Sequence, residues 1–297
     1  MPSFDERTFI AALRGIANHP AARGLGDDAA ALEFGGETLI LTHDVMVEGV
    51  HYLASQDMAD VAWKLVATNL SDLAAMGAQP MGVLLGHMLG RDDAAFIEGL
   101  RQALTVFGVA LLGGDTVGSG NENTPRAHGL TAIGRATHTP APSRSGAQIG
   151  DIIWLSGPVG AAMMGFEAVR DATGEPSGAF RRPVPLLDEG RALAPHVTAM
   201  MDVSDGLLLD ATRLAEASGV TLSLDRMAVP LSAPEARRDD ALRWGDDYQL
   251  LVTIPRGVEP PIPMHAIGTV VAASDVPLLL DGQPPALGTS LGYEHGT

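Results

Sequence analysis

The chain has 297 residues, 46% of them hydrophobic, which is enough apolar material for a substantial core and points to two soluble domains rather than one. Nineteen Lys and Arg against 36 Asp and Glu give a formal net charge of −17, which opposes binding to a nucleic-acid backbone or an anionic membrane surface. With no cysteine, disulfides, thiolate metal sites, iron–sulfur clusters and a cysteine nucleophile are excluded together.

Residues Met1 to Arg7 lack the basic start and apolar centre of a signal peptide, and no apolar run approaches the ~18 residues of a membrane span, so the expected location is the cytoplasm. Thr38 to Asp44 follows the turn-like Gly35-Gly36 and reads as a strand ending on Asp44. From Asp57 to Met76, apolar residues at 58, 61, 62, 65, 66, 70, 73 and 74 keep helical spacing, and Gly77 with Pro80 supplies a stop. That helix carries Asn69 and Asp72 on one face. It also carries Lys64, the only lysine, whose neighbours Trp63 and Leu65 fit no phosphate-binding Gly-x-x-x-x-Gly-Lys-Ser/Thr loop.

A strand is predicted over 81–88, a helix over 92–107, a buried strand over 109–112 and a strand over 129–136. His138-Thr139-Pro140-Ala141-Pro142 opposes both helix and ladder, which divides the chain into residues 1–139 and 140–297. The second part reads as strand 151–156, helix 160–170, an irregular 181–185, strand 200–203, helix 206–217, and strands over 221–225, 249–254 and 266–271, with a late turn at Asp281-Gly282. The fold class is α/β (α+β) in two domains.

The chemistry rests on aspartates. Gly26-Asp27-Asp28, Thr42-His43-Asp44, Asn69-Leu70-Ser71-Asp72, Gly113-Gly114-Asp115-Thr116 and Asp202-Val203-Ser204-Asp205-Gly206 set acids mostly at the ends of apolar runs. Each alone is explained by turn or capping chemistry. Together they describe a crevice whose carboxylates repel one another unless cations bridge them, a multi-Mg²⁺ phosphate site. The same cations would admit ATP to so acidic a chain. Backbone N–H groups at the helix start after Asp205, with Ser204, offer a second phosphate contact, and Arg144 offers a bidentate one.

Taken in order, these segments resemble the thiamine-monophosphate kinases, of the superfamily that includes aminoimidazole ribonucleotide synthetase. The resemblance runs from about Gly24 to Tyr293 and is carried by Val47-Glu48-Gly49-Val50-His51-Tyr52, Asn69 to Gly77, Gly113 to Thr116, Arg144-Ser145-Gly146, Asp202 to Leu207 and Gly245 to Leu250. It implies an N-terminal mixed sheet with helices, dimerising and binding ATP and several Mg²⁺ ions near the interface, followed by a C-terminal α/β domain. By the resemblance, Asp28, Asp44, Asp72, Asp115, Asp202 and Asp205 would hold metal, with Thr42 and His43 nearby. Gly114, Asp115, Arg144 and Ser204 would meet the nucleotide, and His51, Asp246 and Tyr293 the thiamine phosphate.

His43 stands where the family has a small hydroxyl residue, Asp246 and Gln249 where it has glutamates, and Trp244 where glycine is common. No side-chain nucleophile or general base is expected, because the acceptor is a phosphate monoester already largely dianionic at neutral pH. Two other readings keep the same fold: a non-catalytic MgATP sensor, and another ATP-dependent enzyme of the superfamily such as aminoimidazole ribonucleotide synthetase.

Overall fold

The computed structural model of the chain describes residues 6–118, 120, 124–286 and 288–295; the segment Met1 to Asp5 lies outside them. Helix α1 (Glu6–Arg14) precedes a five-stranded sheet built from β1 (Ala30–Phe34), β2 (Glu37–Val47), β3 (Ala78–Leu89), β4 (Ala110–Gly118) and β5 (Ala127–Ala136), with α2 (Met58–Ala75) and α3 (Asp93–Phe107) between strands. The order is β1-β2-β5-β3-β4, antiparallel except for the β3–β4 pair, so the sheet is mixed.

The second half contains β6 (Ile152–Leu155), α4 (Ala161–Arg170), α5 (Gly178–Arg181), α6 (Leu187–Leu193), β7 (Ala199–Asp202), α7 (Leu207–Ser218), β8 (Thr221–Leu224), α8 (Arg238–Ala241), β9 (Leu250–Ile254), β10 (His265–Val271) and β11 (Leu278–Leu280). Its sheet runs β11-β8-β10-β6-β9-β7, and only β11 and β8 are parallel.

Helix α2 is the wall the two halves share. Asp57 caps it by accepting from the Ala59 N–H at 2.9 Å, and every residue except Trp63 and Asp72 is buried. A helix buried on nearly every side must partner its polar groups, and Asp60, Lys64, Asn69 and Ser71 each have a hydrogen-bond or ion-pair partner. Leu65, Leu70 and Leu73 pack into the first core. Ala74 and Ala75 join Leu193, Met200, Leu250 and Val252 of the second half. The approach of α6 is close: a Cβ on Gly190 would lie 2.0 Å from the Ala74 carbonyl oxygen.

Two strands outrun their predicted ends. β2 continues past Asp44 to Val47, because Val45, Met46 and Val47 pair with Gly129, His128 and Ala127 of β5. β4 continues through Gly113-Gly114-Asp115, which sequence treated as a strand-to-loop turn. Gly114 is needed for close strand approach rather than for a turn, since a Cβ on it would meet the Leu85 carbonyl oxygen of β3 at 1.9 Å. The elements α5, α8 and β11, of three or four residues, carry too short a signal to read, and α1, β1 and α6 are not anticipated from the sequence either. Among the described residues, no helix is long and apolar enough to cross a membrane.

Candidate active site

Four elements deliver carboxylates to the seam between the halves. The turn before β1 supplies Asp28, β2 supplies Asp44, the last turn of α2 supplies Asp72 and the end of β7 supplies Asp202. One carboxylate oxygen each of Asp28, Asp72 and Asp202 lie within 4.8 Å of one another. Burial pushes all three acids up in pKa, those of Asp72 and Asp202 far above the ordinary carboxylate range; repulsion from neighbouring carboxylates adds to it, and Arg144 opposes it at Asp28. Asp44 is raised to about 6, first by burial and then by Asp205 and Asp28, with His43 opposing.

Neutral donors hold the cluster. The Thr42 hydroxyl donates to Asp72, and the Ser71 hydroxyl donates to Asp202 across the seam. Asn69 accepts from the Asp44 N–H at 3.0 Å and donates to the Leu65 carbonyl at 2.9 Å, locking β2 to α2. Arg144 Nε donates to Asp28 Oδ1 at 3.0 Å. Asp27 accepts from the Ser143 hydroxyl and the Arg144 N–H at 2.7 and 2.9 Å, which fixes the segment that carries this arginine.

After these bonds, Asp28 Oδ2 and Asp202 Oδ1 remain buried without a partner. Buried carboxylate oxygens rarely stay unpaired. An all-oxygen donor set with spare lone pairs suits a hard divalent cation such as Mg²⁺.

The cluster opens on a cavity of about 890 Å³ lined by residues of both halves, among them Asp44, Asp72, His51, Asp246, Trp244 and Tyr293. His51 Nδ1 accepts from the Val47 N–H at 3.0 Å, and burial lowers its pKa. The neutral ring therefore carries its proton on Nε2. Asp246 binds Lys64 Nζ at 2.7 Å and accepts from the Tyr248 hydroxyl at 2.8 Å. Phe166 and Trp244 pack at 5.1 Å on the C-terminal side of the cavity.

Two family signatures cover most of the chain: "AIR synthase related protein, N-terminal domain" matches residues 26–136, and the corresponding C-terminal domain matches 148–276. The thiamine-monophosphate kinase of Caulobacter vibrioides is 35% identical over 89% of this chain and 80% of its own length. That of Escherichia coli K12 is 34% identical over 92% and 91%. The chain belongs to the thiamine-monophosphate kinase family. A solved structure of AaThiL complexed with AMPPCP and TMP superposes with a TM-score of 0.87 at 28% identity, covering 98% of this chain and 97% of that one.

Against the pattern expected of a thiamine-monophosphate kinase, the structure brings Asp28, Thr42, Asp44, Asp72 and Asp202 together, with Arg144 on Asp28. Asp205 and Ser204 line the cavity, as do His51, Asp246 and Tyr293. Asp205 is paired with Arg213.

Three expectations change. His43 borders the cavity, but its ring points to the other face of the sheet from Thr42 and Asp44, 2.9 Å from Thr131 Oγ1, because side chains alternate along β2. Asp115 and Gly114 stay outside the cluster and the cavity, on the exposed edge strand β4, because β4 does not end at the glycines. The amides at the start of α7 are not open to a phosphate either. Asp210 Oδ2 accepts the N–H groups of Ser204, Asp205 and Gly206 at 3.1, 3.0 and 3.1 Å.

Asp210 and Lys64 are what sequence reasoning missed. An acid inside the first turn of a leucine-rich helix is the usual sign of a carboxylate folded back on the helix start. A lone lysine on the apolar side of α2 signals a buried counter-charge.

Proposed function

We propose that the chain transfers the γ-phosphoryl group of ATP to thiamine monophosphate, giving thiamine diphosphate and ADP by direct in-line transfer, as the last step of thiamine diphosphate formation in the cytoplasm. The observation that carries this reading is the convergence of Asp28, Asp72 and Asp202, with two unpaired buried oxygens, beside a cavity large enough for both substrates. The solved neighbour complexed with AMPPCP and TMP supports it.

Asp28, Asp44, Asp72, Asp202 and Asp205 would hold Mg²⁺, which when bound screens the repulsion between donor and acceptor phosphates and stabilises charge during transfer. Arg144 and Ser204 would contact the nucleotide. His51, Asp246 and Tyr293 would contact the thiamine phosphate, with neutral His51 donating from Nε2. The acceptor arrives as a dianion, its second pKa about 6, so alignment is the task and no side chain need remove a proton.

Residues 1–139 would bind ATP and metal and form a homodimer, with 140–297 completing the site. The exposed apolar residues of the first sheet support the dimer: Val45, Met81, Leu84, Leu111, Leu112 and Val117 are each 39 to 57% exposed. Gly114 and Asp115 lie on the same edge strand, so a second copy would bring them toward a site that one chain leaves without them.

The test is ADP production from MgATP with thiamine monophosphate, beside unphosphorylated thiamine and formylglycinamidine ribonucleotide. Turnover on thiamine monophosphate alone is expected. Turnover on either alternative but not on thiamine monophosphate overturns the reading, and MgATP binding without turnover favours a sensor.

A further inference from the structure

Lys64 sits on α2 with 1% of its surface exposed, facing the cavity rather than the first core. A buried ammonium needs a partner. An acid on its own helix, Asp60, stands four residues earlier on the same face, the spacing that commonly pairs.

The pairing is instead crossed between the halves. Asp60 takes Arg181 and Arg182 from the α5 segment, while Lys64 takes Asp246 at 2.7 Å. Phe180 of α5 lies beneath the ammonium, its ring centroid 4.1 Å from Nζ. The halves are thus already tied at Asp60 and at Ser71–Asp202, and Lys64 is free for a narrower task.

That task is visible at Asp246. Its backbone is left-handed, with φ 66°, a conformation that aspartate adopts more readily than most non-glycine residues. Lys64 holds Oδ2 and the Tyr248 hydroxyl holds Oδ1, so the carboxylate is clamped at both oxygens while its side chain remains 28% exposed to the cavity. Groups fixed in this way present one geometry to a ligand.

We infer that Lys64 is a positioning residue, which fixes Asp246 for recognition of the acceptor substrate. The inference rests on the kinase reading above. It concerns the acceptor, because the clamped carboxylate lies with His51 and Tyr293 on the cavity wall; only the Asp246 backbone, whose N–H donates to the Ser204 carbonyl at 2.8 Å, touches the nucleotide side, and Arg144 lies against Asp28.

The test compares steady-state kinetics of the full-length wild type, Lys64→Met, Asp246→Asn and the double variant. Loss of one charge-assisted contact at the acceptor raises KM for thiamine monophosphate on the order of tenfold in Lys64→Met. KM for ATP stays within about twofold, since the carboxylate that Lys64 holds faces the acceptor side of the cavity, and the double variant is no worse than Asp246→Asn alone because Lys64 acts only through Asp246. An equal rise in both KM values, or additive losses in the double variant, overturns the role and leaves Lys64 a structural tie.

If Lys64→Met does not fold, Tyr248→Phe releases the other oxygen. A rise of about threefold in the same KM is then expected, the effect of one neutral hydrogen bond, and an unchanged KM overturns the role. Wild-type protein that makes no ADP with thiamine monophosphate removes the kinase reading and this role with it. Wild-type turnover with an unchanged KM in Lys64→Met removes only the role.

Discussion

Replacing Asp44 by Asn should move stability in opposite directions with and without Mg²⁺. The Asp44 carboxyl is raised from its ordinary 3.8 to about 6, chiefly by burial and further by Asp205 and Asp28. A folded-state pKa above the unfolded one means that the favourable contribution is complete below about 4 and is lost as pH rises through about 6. The difference of about 2 units corresponds to roughly 3 kcal/mol of destabilisation once the group is ionised in the folded chain. Asparagine does not titrate and does not carry that term.

In EDTA at pH 8, Asp44→Asn should therefore melt above the wild type by several degrees, the order expected for such a free-energy change. The gap should close as pH falls toward 4. With millimolar Mg²⁺ the order should reverse, because the wild type gains a ligand that the variant holds poorly. Scanning calorimetry from pH 4 to 8, in EDTA and in Mg²⁺, measures both arms. A variant that melts below the wild type by the same amount in every condition would show that Asp44 serves only as a packing or hydrogen-bonding group, and the shared-metal argument would fail.

Asp72→Asn or Asp202→Asn should lower kcat on the order of 10²-fold or more in the ADP-release assay, by analogy with other preorganised electrostatic groups; wild-type rates in both would remove them from the site. Leu112→Arg with Val117→Glu, placing charge on β4, should shift the sedimentation coefficient to that of a single chain, and an unaltered coefficient would exclude this face as the dimer contact. Asp210→Ala should cost about 3 kcal/mol in chemical denaturation, because three amide donors and Arg213 lose a buried acceptor. Gly99→Ala should be as severe, since its Cβ would meet the Ala59 carbonyl oxygen at 2.0 Å where α3 crosses α2.

Where the periodic signal was long, sequence and structure agree closely. The α2 pattern extends over five turns and was read within a residue at each end, and the leucine helix α7 was displaced by one residue. The misses share a physical origin. A run such as Leu111-Leu112-Gly113-Gly114 carries the same local signal whether the glycines turn the chain or let β3 approach, and only the neighbouring strand distinguishes the two. His43 is a matter of parity along a strand whose register sequence does not display.

Asp210 and Lys64 were missed for other reasons. The Lys64 partner lies some 180 residues away at Asp246, a contact with no fixed spacing that the chain could announce, whereas the amide partners of Asp210 stand four to six residues earlier, a local signal masked by the metal-like pattern of Asp202 and Asp205 beside it. The aspartates were legible because several similar short motifs recur, and recurrence survives ignorance of the fold.

The shared wall α2 also bears on how substrates arrive. Parting the two halves would unpair Lys64 and Asp246, release Ser71 from Asp202 and strip Asp60 of two arginines, while exposing alanines packed against α6. Hinged jaws would have to undo all of these once per turnover. The interior framework is better described as a fixed vice, with passage left to the cavity rim at Val47 to Leu53 and Tyr293 to His295. Such a framework would leave substrate exchange to the rim loops, which can move without undoing any of these ties.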